Sequence, residues 1–380
     1  MGNNQEIIVR IRRALLNKKM TQRDLAVALG KKEAEISRWL NGRMGISNPN
    51  LQKIEDILET ALTEKSLARE KQAYLRLGVI GTGSIAKRFV EETVYVPNVY
   101  VASAYNPNFA ETHQFCEKYG IMNEAINVEE LLKEVDAVYI ASPCYSHFEY
   151  IQKALNANKH VLCETPLTDN YPQAKELVGL AKKLGLVLMP ALKTAYAPSF
   201  SKIIEEALSG EIGEIVDVSA TVTTLLSQKV TLGYNNERLR DNLYYAMLII
   251  LKLLGLDFKK VSAFARNDGS KSLYLNASLI YDNMIGQAIV GTGVKSESSL
   301  VISGTKGYIY VPAPWWKPDY FEMRYENPYD NKKLYFPFES SGLRYEIQSF
   351  VDNVTMKTDE RPISNQETLK IIQLVEKYLH

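Results

Sequence analysis

This chain of 380 residues has little cysteine, little histidine and no long apolar run. Its three cysteines, Cys116, Cys144 and Cys163, are odd in number, widely spaced and form no Cys-x-x-Cys pair. That excludes a disulfide framework or zinc knuckle and fits a reducing, cytoplasmic setting. The four histidines (His113, His147, His160, His380) show no ligand spacing, so no metal is expected. The apolar part of Ala246–Leu254 is interrupted by Lys252 and is too short for a bilayer, so no membrane partner is expected. The N-terminal residues Met1-Gly2-Asn3-Asn4-Gln5-Glu6 are polar and lack the apolar core of a signal peptide. The net charge is only +1, but it is uneven. The first 72 residues hold 14 Lys/Arg against 9 Asp/Glu, and the remainder is net acidic. A basic N-terminal piece on a near-neutral protein points to nucleic acid. The length allows two or three domains.

What is present centres on Arg76–Val90. An apolar run ends in Gly81-Thr82-Gly83-Ser84-Ile85-Ala86, and a helical pattern with Ile85 and Phe89 on one face follows. Gly81 permits a tight turn. Gly83 has no Cβ, so a diphosphate can approach the backbone. Ala86 lets the helix sit close to the strand. Free N–H groups and the dipole at the helix start then favour phosphate, so Gly81, Gly83, Ser84, Ile85 and Ala86 are the expected cofactor-binding residues.

Before this stretch, Ile7 to Leu58 reads as compact helices. Ile8, Ile11, Leu15 and Leu16 form a helical stripe, and Thr21 with Asp24 makes a helix start. Gly30 turns the chain into a second short helix ending near Asn41-Gly42. The order Thr21-Gln22, Leu25-Ala26, Leu29-Gly30, Ile36-Ser37-Arg38-Trp39 and Asn41-Gly42 resembles the Cro/XRE family of helix-turn-helix DNA-binding domains. The resemblance implies that Gln22, Ser37, Arg38 and Asn41 approach phosphates or base edges. Lys31, Lys32 and Arg43 add phosphate attraction that does not depend on base sequence. Glu33 and Glu35 depart from the pattern, since carboxylates repel phosphate unless they accept from a cytosine amino group. A small helical dock for another protein is the competing reading. Thr60–Tyr74 reads as a solvated helical linker.

From Leu75 to about Leu192 short β-type runs alternate with amphipathic stretches, which means a parallel sheet covered on both faces. Its ligands sit at the carboxyl ends of the strands. The second strand ends in Ala104-Tyr105-Asn106-Pro107, with neither the acid that binds a ribose 2′-hydroxyl nor the Arg that accepts a 2′-phosphate. Asn106 can bond the ribose or simply make the turn, so NAD and NADP are not distinguished.

Two further segments, Ala137–Pro143 running on to His147 and Lys159–Leu167, join the glycine turn in resembling the Gfo/Idh/MocA oxidoreductases. Gly-Glu-Ile-Gly-Glu-Ile at 210–215 and Gly342-Leu343-Arg344-Tyr345-Glu346 extend the resemblance towards the end of the chain. It implies a Rossmann domain and a mixed α/β domain with a broad sheet that makes subunit contacts, hence a homo-oligomer. It also implies hydride exchange between nicotinamide and a sugar or polyol carbon, with Ser142, Pro143, His147 and Glu164 on the cofactor side. In those enzymes a lysine stands between the Glu and Pro of a Glu-x-Pro turn. Here that position is Thr165, which brings no positive charge to a developing alkoxide. A second family motif aligns with Asp241, Leu243 and Tyr245, and Tyr245 can still donate a proton. Lys193, at the end of a strand, is a candidate replacement for the missing ammonium or a solvated surface lysine.

From Glu211 onward the apolar period becomes that of strands, at 216–222, 261–265, 275–281, 286–290, 300–303 and 308–311. The expected architecture is an all-α helix-turn-helix at 1–59, a linker at 60–74, a Rossmann domain at 75–192 and an α+β domain with a mainly antiparallel open sheet at 193–380. Two functions fit. One is an NAD(P)-dependent oxidoreductase on a sugar or polyol, fused to a DNA-binding domain, with Tyr245, Asp241, Lys193 and Thr165 at the chemical centre. The other is a transcriptional regulator that keeps the pocket as a sensor and has lost turnover.

Overall fold

A computed structural model describes residues 2–41, 44–60, 62, 74–225, 234–268, 271–356 and 361–379. The chain divides into two compact units, Met1–Ala141 and Ser142–His380. Most of the expected helical linker at 60–74 lies outside the described residues.

The first unit opens with four helices: α1 (Gly2–Asn17), α2 (Gln22–Leu29), α3 (Glu33–Leu40) and α4 (Asn48–Leu58). Ile11, Leu15, Leu25, Ile36, Trp39, Leu40, Ile54 and Leu58 form their shared buried core. Thr21 and Asp24 make the expected reciprocal cap, and Gly30 closes α2 at φ 64°, in the left-handed region that a residue without Cβ adopts most readily. Two neighbouring arginines of α1 satisfy the carbonyls of helix ends. Arg12 donates to Leu40 O at 2.9 Å. Arg13 donates to Thr93 O at 3.3 Å and Val94 O at 3.1 Å.

Those last two carbonyls end α5 (Ser84–Thr93), which follows β1 (Leu75–Ile80). The unit continues with β2 (Val99–Tyr105), α6 (Phe109–Tyr119), β3 (Asn123–Glu124), α7 (Val128–Glu134) and β4 (Ala137–Ile140). β1 is parallel to both β2 and β4. It reads Leu-Arg-Leu-Gly-Val-Ile and is almost wholly buried, as a strand covered on both faces must be.

The second unit holds α8 (His147–Asn156), β5 (His160–Glu164), α9 (Tyr171–Leu184), β6 (Leu188–Ala191) and α10 (Pro198–Leu208). Six strands form one sheet in the order β3-β2-β1-β4-β5-β6, with the glycine turn following its central strand β1.

An eight-stranded sheet fills the rest: β7 (Ile215–Thr224), β8 (Lys260–Asp268), β9 (Lys271–Ile280), β10 (Ile285–Thr292), β11 (Leu300–Gly304), β12 (Gly307–Val311), β13 (Tyr320–Tyr325) and β14 (Lys332–Tyr335). Their order is β14-β13-β12-β11-β7-β10-β9-β8, antiparallel except where β7 runs beside β10. α11 (Tyr234–Leu254) covers one face so closely that a Cβ on Gly286 would collide with Ile250. Gly255, at φ 81°, ends that helix. The helices α12 (Leu343–Thr355) and α13 (Asn365–Leu379) complete the unit, the latter opened by a reciprocal Ser364–Glu367 cap. Trp315 is fully buried and donates to Thr221 O at 2.9 Å, so it packs in the core.

Candidate active site

The glycine turn is built from backbone. Gly81 has φ 102° and its N–H donates to Tyr105 O at 2.8 Å, which ties the turn to the end of β2. Gly83 caps α5 in extended conformation without a side-chain bond. A Cβ placed on Gly83 would meet nothing within 4 Å, so the space above it is open, as a cradle for a diphosphate requires. Ala86 is fully buried against the sheet, whereas Ser84 is exposed and Ile85 half-buried.

Asn106 organises the loop beside this turn. Its Nδ2 donates to Thr82 Oγ1 at 2.8 Å, and its Oδ1 accepts from Asn108 N at 2.8 Å. The same cluster holds a carboxylate that reading the strand end missed. Glu111, in the first turn of α6, accepts from Thr82 Oγ1 at 3.2 Å and from Asn106 Nδ2 at 3.3 Å. Asn108, the cap of α6, stands three residues before it, and that Asn-x-x-Glu spacing was the available signal.

The residues of the Glu-x-Pro turn lie in the second unit. Ser142 and Pro143 lead through a short 3-10 turn into α8, where His147 is 1% exposed. One ring nitrogen, Nδ1, lies 2.7 Å from Pro166 O, and the other, Nε2, lies 2.8 Å from Ser142 O. The imidazole therefore bridges the segment after β4 to the Thr165–Pro166 turn. Burial pushes its pKa down, while the two carbonyls and Asp169 push the other way. Glu164 ends β5, and Thr165 beside it is half-buried.

A guanidinium reaches the same turn from α11. Arg240 Nη1 donates to Asp169 Oδ1 at 2.8 Å, and Cys144 Sγ donates to the same oxygen at 3.0 Å. Sequence reading placed Asp241 and Tyr245 here and missed their neighbour Arg240, because its partner lies 71 residues earlier in the chain. Cys144 is half-buried beside this pair. Its thiol serves Asp169, though burial pushes its pKa well above the ordinary value. Asp241 and Tyr245 are half-buried, and Tyr244 is 3% exposed with its pKa raised by burial. Lys193 opens the 3-10 turn Lys193–Tyr196 and is half-buried rather than fully solvated.

On the helix-turn-helix, Gln22, Lys32, Arg38 and Asn41 are exposed and Ser37 is half-buried. Asn41 Nδ2 donates to Ser37 Oγ at 3.3 Å, and Lys31 pairs with Glu35 at 2.9 Å, which neutralises one of the two departing carboxylates.

A parallel sheet with a glycine turn after its central strand defines a dinucleotide-binding Rossmann fold, here preceded by a helix-turn-helix. Comparison with known proteins narrows this. Residues 75–192 match the Gfo/Idh/MocA model, an oxidoreductase family with an NAD-binding Rossmann fold, and residues 11–65 match a helix-turn-helix model. Over those two ranges the chain is similar to a Gfo/Idh/MocA Rossmann domain and to a helix-turn-helix domain.

Among curated relatives, scyllo-inositol 2-dehydrogenase (NADP(+)) IolU of Bacillus subtilis is 33% identical over 34% of this chain and 40% of its own length. A dTDP-3,4-didehydro-2,6-dideoxy-alpha-D-glucose 3-reductase of Actinomadura kijaniata is 29% identical over 54% of this chain and 64% of its own. The chain thus spans less than two thirds of either relative. The crystal structure of the 3-ketoreductase KijD10 from Actinomadura kijaniata, in complex with NADP and TDP-benzene, superposes with a TM-score of 0.69. It covers 80% of this chain and 96% of that one at 24% identity, which is a likeness of fold. Among the described residues no helix is long and apolar enough to cross a membrane.

Proposed function

We propose that this chain is an NAD(P)-dependent oxidoreductase-like protein acting on a sugar or polyol, carrying a DNA-binding domain at its N-terminus. The observation that carries the reading is the glycine turn, with Gly81 at φ 102° and open space above Gly83 at the start of α5. Gly81, Gly83, Ser84, Ile85 and Ala86 hold the diphosphate, whose charge the first N–H groups of α5 favour. The bound nicotinamide supplies the hydride acceptor or donor. In the second unit, Ser142, Pro143, His147 and Glu164 form the cofactor side, with His147 fixing the loops that carry the others. In the reducing direction Tyr245 Oη would donate a proton to the substrate's carbonyl oxygen, with Asp241 four residues earlier on the same helix. Domain limits of 1–59, 60–74, 75–192 and 193–380 go with this reading, as does a homo-oligomer joined through the eight-stranded sheet. Gln22, Lys32, Ser37, Arg38 and Asn41 read DNA.

A second reading, a regulator that senses a nucleotide and a sugar without turnover, is favoured by one observation. Thr165 supplies no charge, and the guanidinium that reaches its turn is already held by Asp169. Lys193, half-buried in the same unit, is then a candidate cation among the described residues. Turnover of a sugar or polyol panel with NAD+ and NADP+ separates the two. Turnover lost in Tyr245→Phe supports the enzyme, whereas saturable cofactor binding with no turnover supports the sensor. For the DNA domain, binding that weakens with salt and is lost in Arg38→Ala supports the assignment, and no binding at low salt sinks it.

A further inference from the structure

The residues beside the glycine turn decide which dinucleotide fits, and we propose that Glu111 makes this site selective for NAD(H) over NADP(H). The inference rests on the reading that the glycine turn binds a dinucleotide. In a Rossmann site the adenosine ribose lies at the end of the second strand, beside the glycine turn. A carboxylate there accepts from the 2′-hydroxyl, and an arginine there accommodates a 2′-phosphate. At the end of β2 the chain reads Tyr105-Asn106-Pro107-Asn108-Phe109-Ala110-Glu111-Thr112, with no lysine or arginine.

The strand end itself offers no acid, but the fold supplies one from the next helix. Glu111 Oε2 lies 3.2 Å from Oγ1 of Thr82, the residue between the two turn glycines. Its other oxygen accepts from Asn108 Nδ2 at 3.3 Å, so both oxygens are directed into this loop. Glu111 is exposed and has no ion pair among the described residues. Its charge is therefore available to a ligand. Ribose hydroxyls satisfy it by donating, and a 2′-phosphate brings two further negative charges to a carboxylate with no cation to offset them. Arg88, on the neighbouring helix, directs its Nε to Ser84 O at 3.5 Å and gives Glu111 no partner.

Glu111 also stands at the third position of α6, where a carboxylate suits the helix dipole in any protein. The test separates that structural role from selectivity. The full-length chain is titrated with NADH and with NADPH, following nicotinamide fluorescence, for the wild type, Glu111→Gln and Glu111→Arg. The expected result is NADH binding about tenfold or more tighter than NADPH in the wild type, a charge effect of ordinary size. Glu111→Gln should narrow the ratio and Glu111→Arg should reverse it, with NADH affinity changing much less than NADPH affinity. NADPH binding as tightly as NADH in the wild type overturns the inference and leaves the functional reading intact. A ratio unmoved in Glu111→Gln also overturns it, since a purely structural Glu111 predicts that result. Binding of neither coenzyme overturns the functional reading, and the inference with it. If Glu111→Arg does not fold, Glu111→Gln, which keeps the shape and one accepting oxygen, still decides.

Discussion

The glycine turn and the Glu164-Thr165-Pro166 turn follow strands of the same sheet and offer different chemistry, backbone in one and side chains in the other. The first keeps everything a diphosphate needs. The second is held by His147, whose Nδ1 lies 2.7 Å from Pro166 O, and carries Thr165 between its Glu and Pro. The difference teaches which kind of site tolerates change. A phosphate cradle is backbone, so its requirements are small residues and a positive φ, and losing either destroys it. An acid–base centre is a side chain on a scaffold, so one substitution alters the chemistry and leaves the scaffold standing.

Three substitutions sharpen or break this contrast. The largest effect is expected from Thr165→Lys. An ammonium placed at 165 raises kcat on a sugar or polyol by about 10²–10⁴, the usual worth of a positioned acid–base group. No gain, with cofactor binding unchanged, would show that Thr165 does not limit turnover.

Next comes His147→Ala. It removes a side chain that is 1% exposed and leaves one buried carbonyl without its donor, since a neutral imidazole donates from one ring nitrogen; lost packing and the unsatisfied carbonyl add up. Urea denaturation should show a loss of roughly 2–5 kcal/mol. A loss below about 0.5 kcal/mol would mean that the clamp does not hold the turn in place.

The smallest effect is expected from Gly81→Ala, which puts a Cβ on a residue at φ 102°. Strain of this kind costs about 1–3 kcal/mol. An unchanged urea midpoint would show that the turn relaxes freely and is not the rigid cradle described here.

Much of the fold was legible because it follows from local rules. Gly120 and Gly185 close α6 and α9 in the left-handed conformation where the helical pattern stops. The paired strands from β7 to β12 carry apolar alternation strong enough to read. β13 and β14 were not read. β14 is four residues long with two exposed lysines, Lys332 and Lys333, a composition that protects a sheet edge and hides the strand from an apolar count. α10 and α12 were also missed as helices, although the start of α12 was noted as a motif.

The glycine turn was visible for a similar reason, since its requirements are contiguous in the chain. Glu111, Asp169 and Arg240 were not. Glu111 lies 29 residues from Thr82, and Arg240 lies 71 from Asp169. Contacts between residues that far apart are fixed by packing and leave no local pattern.

The most direct test of the account is calorimetric titration of the full-length chain and of Gly83→Val with NADH. Valine at 83 meets no protein atom at its Cβ, so the fold is retained while the space above the turn is filled. Saturable binding in the wild type, lost in a Gly83→Val protein of unchanged melting temperature, is the predicted result. No binding in the wild type, or equal binding in the variant, would contradict it.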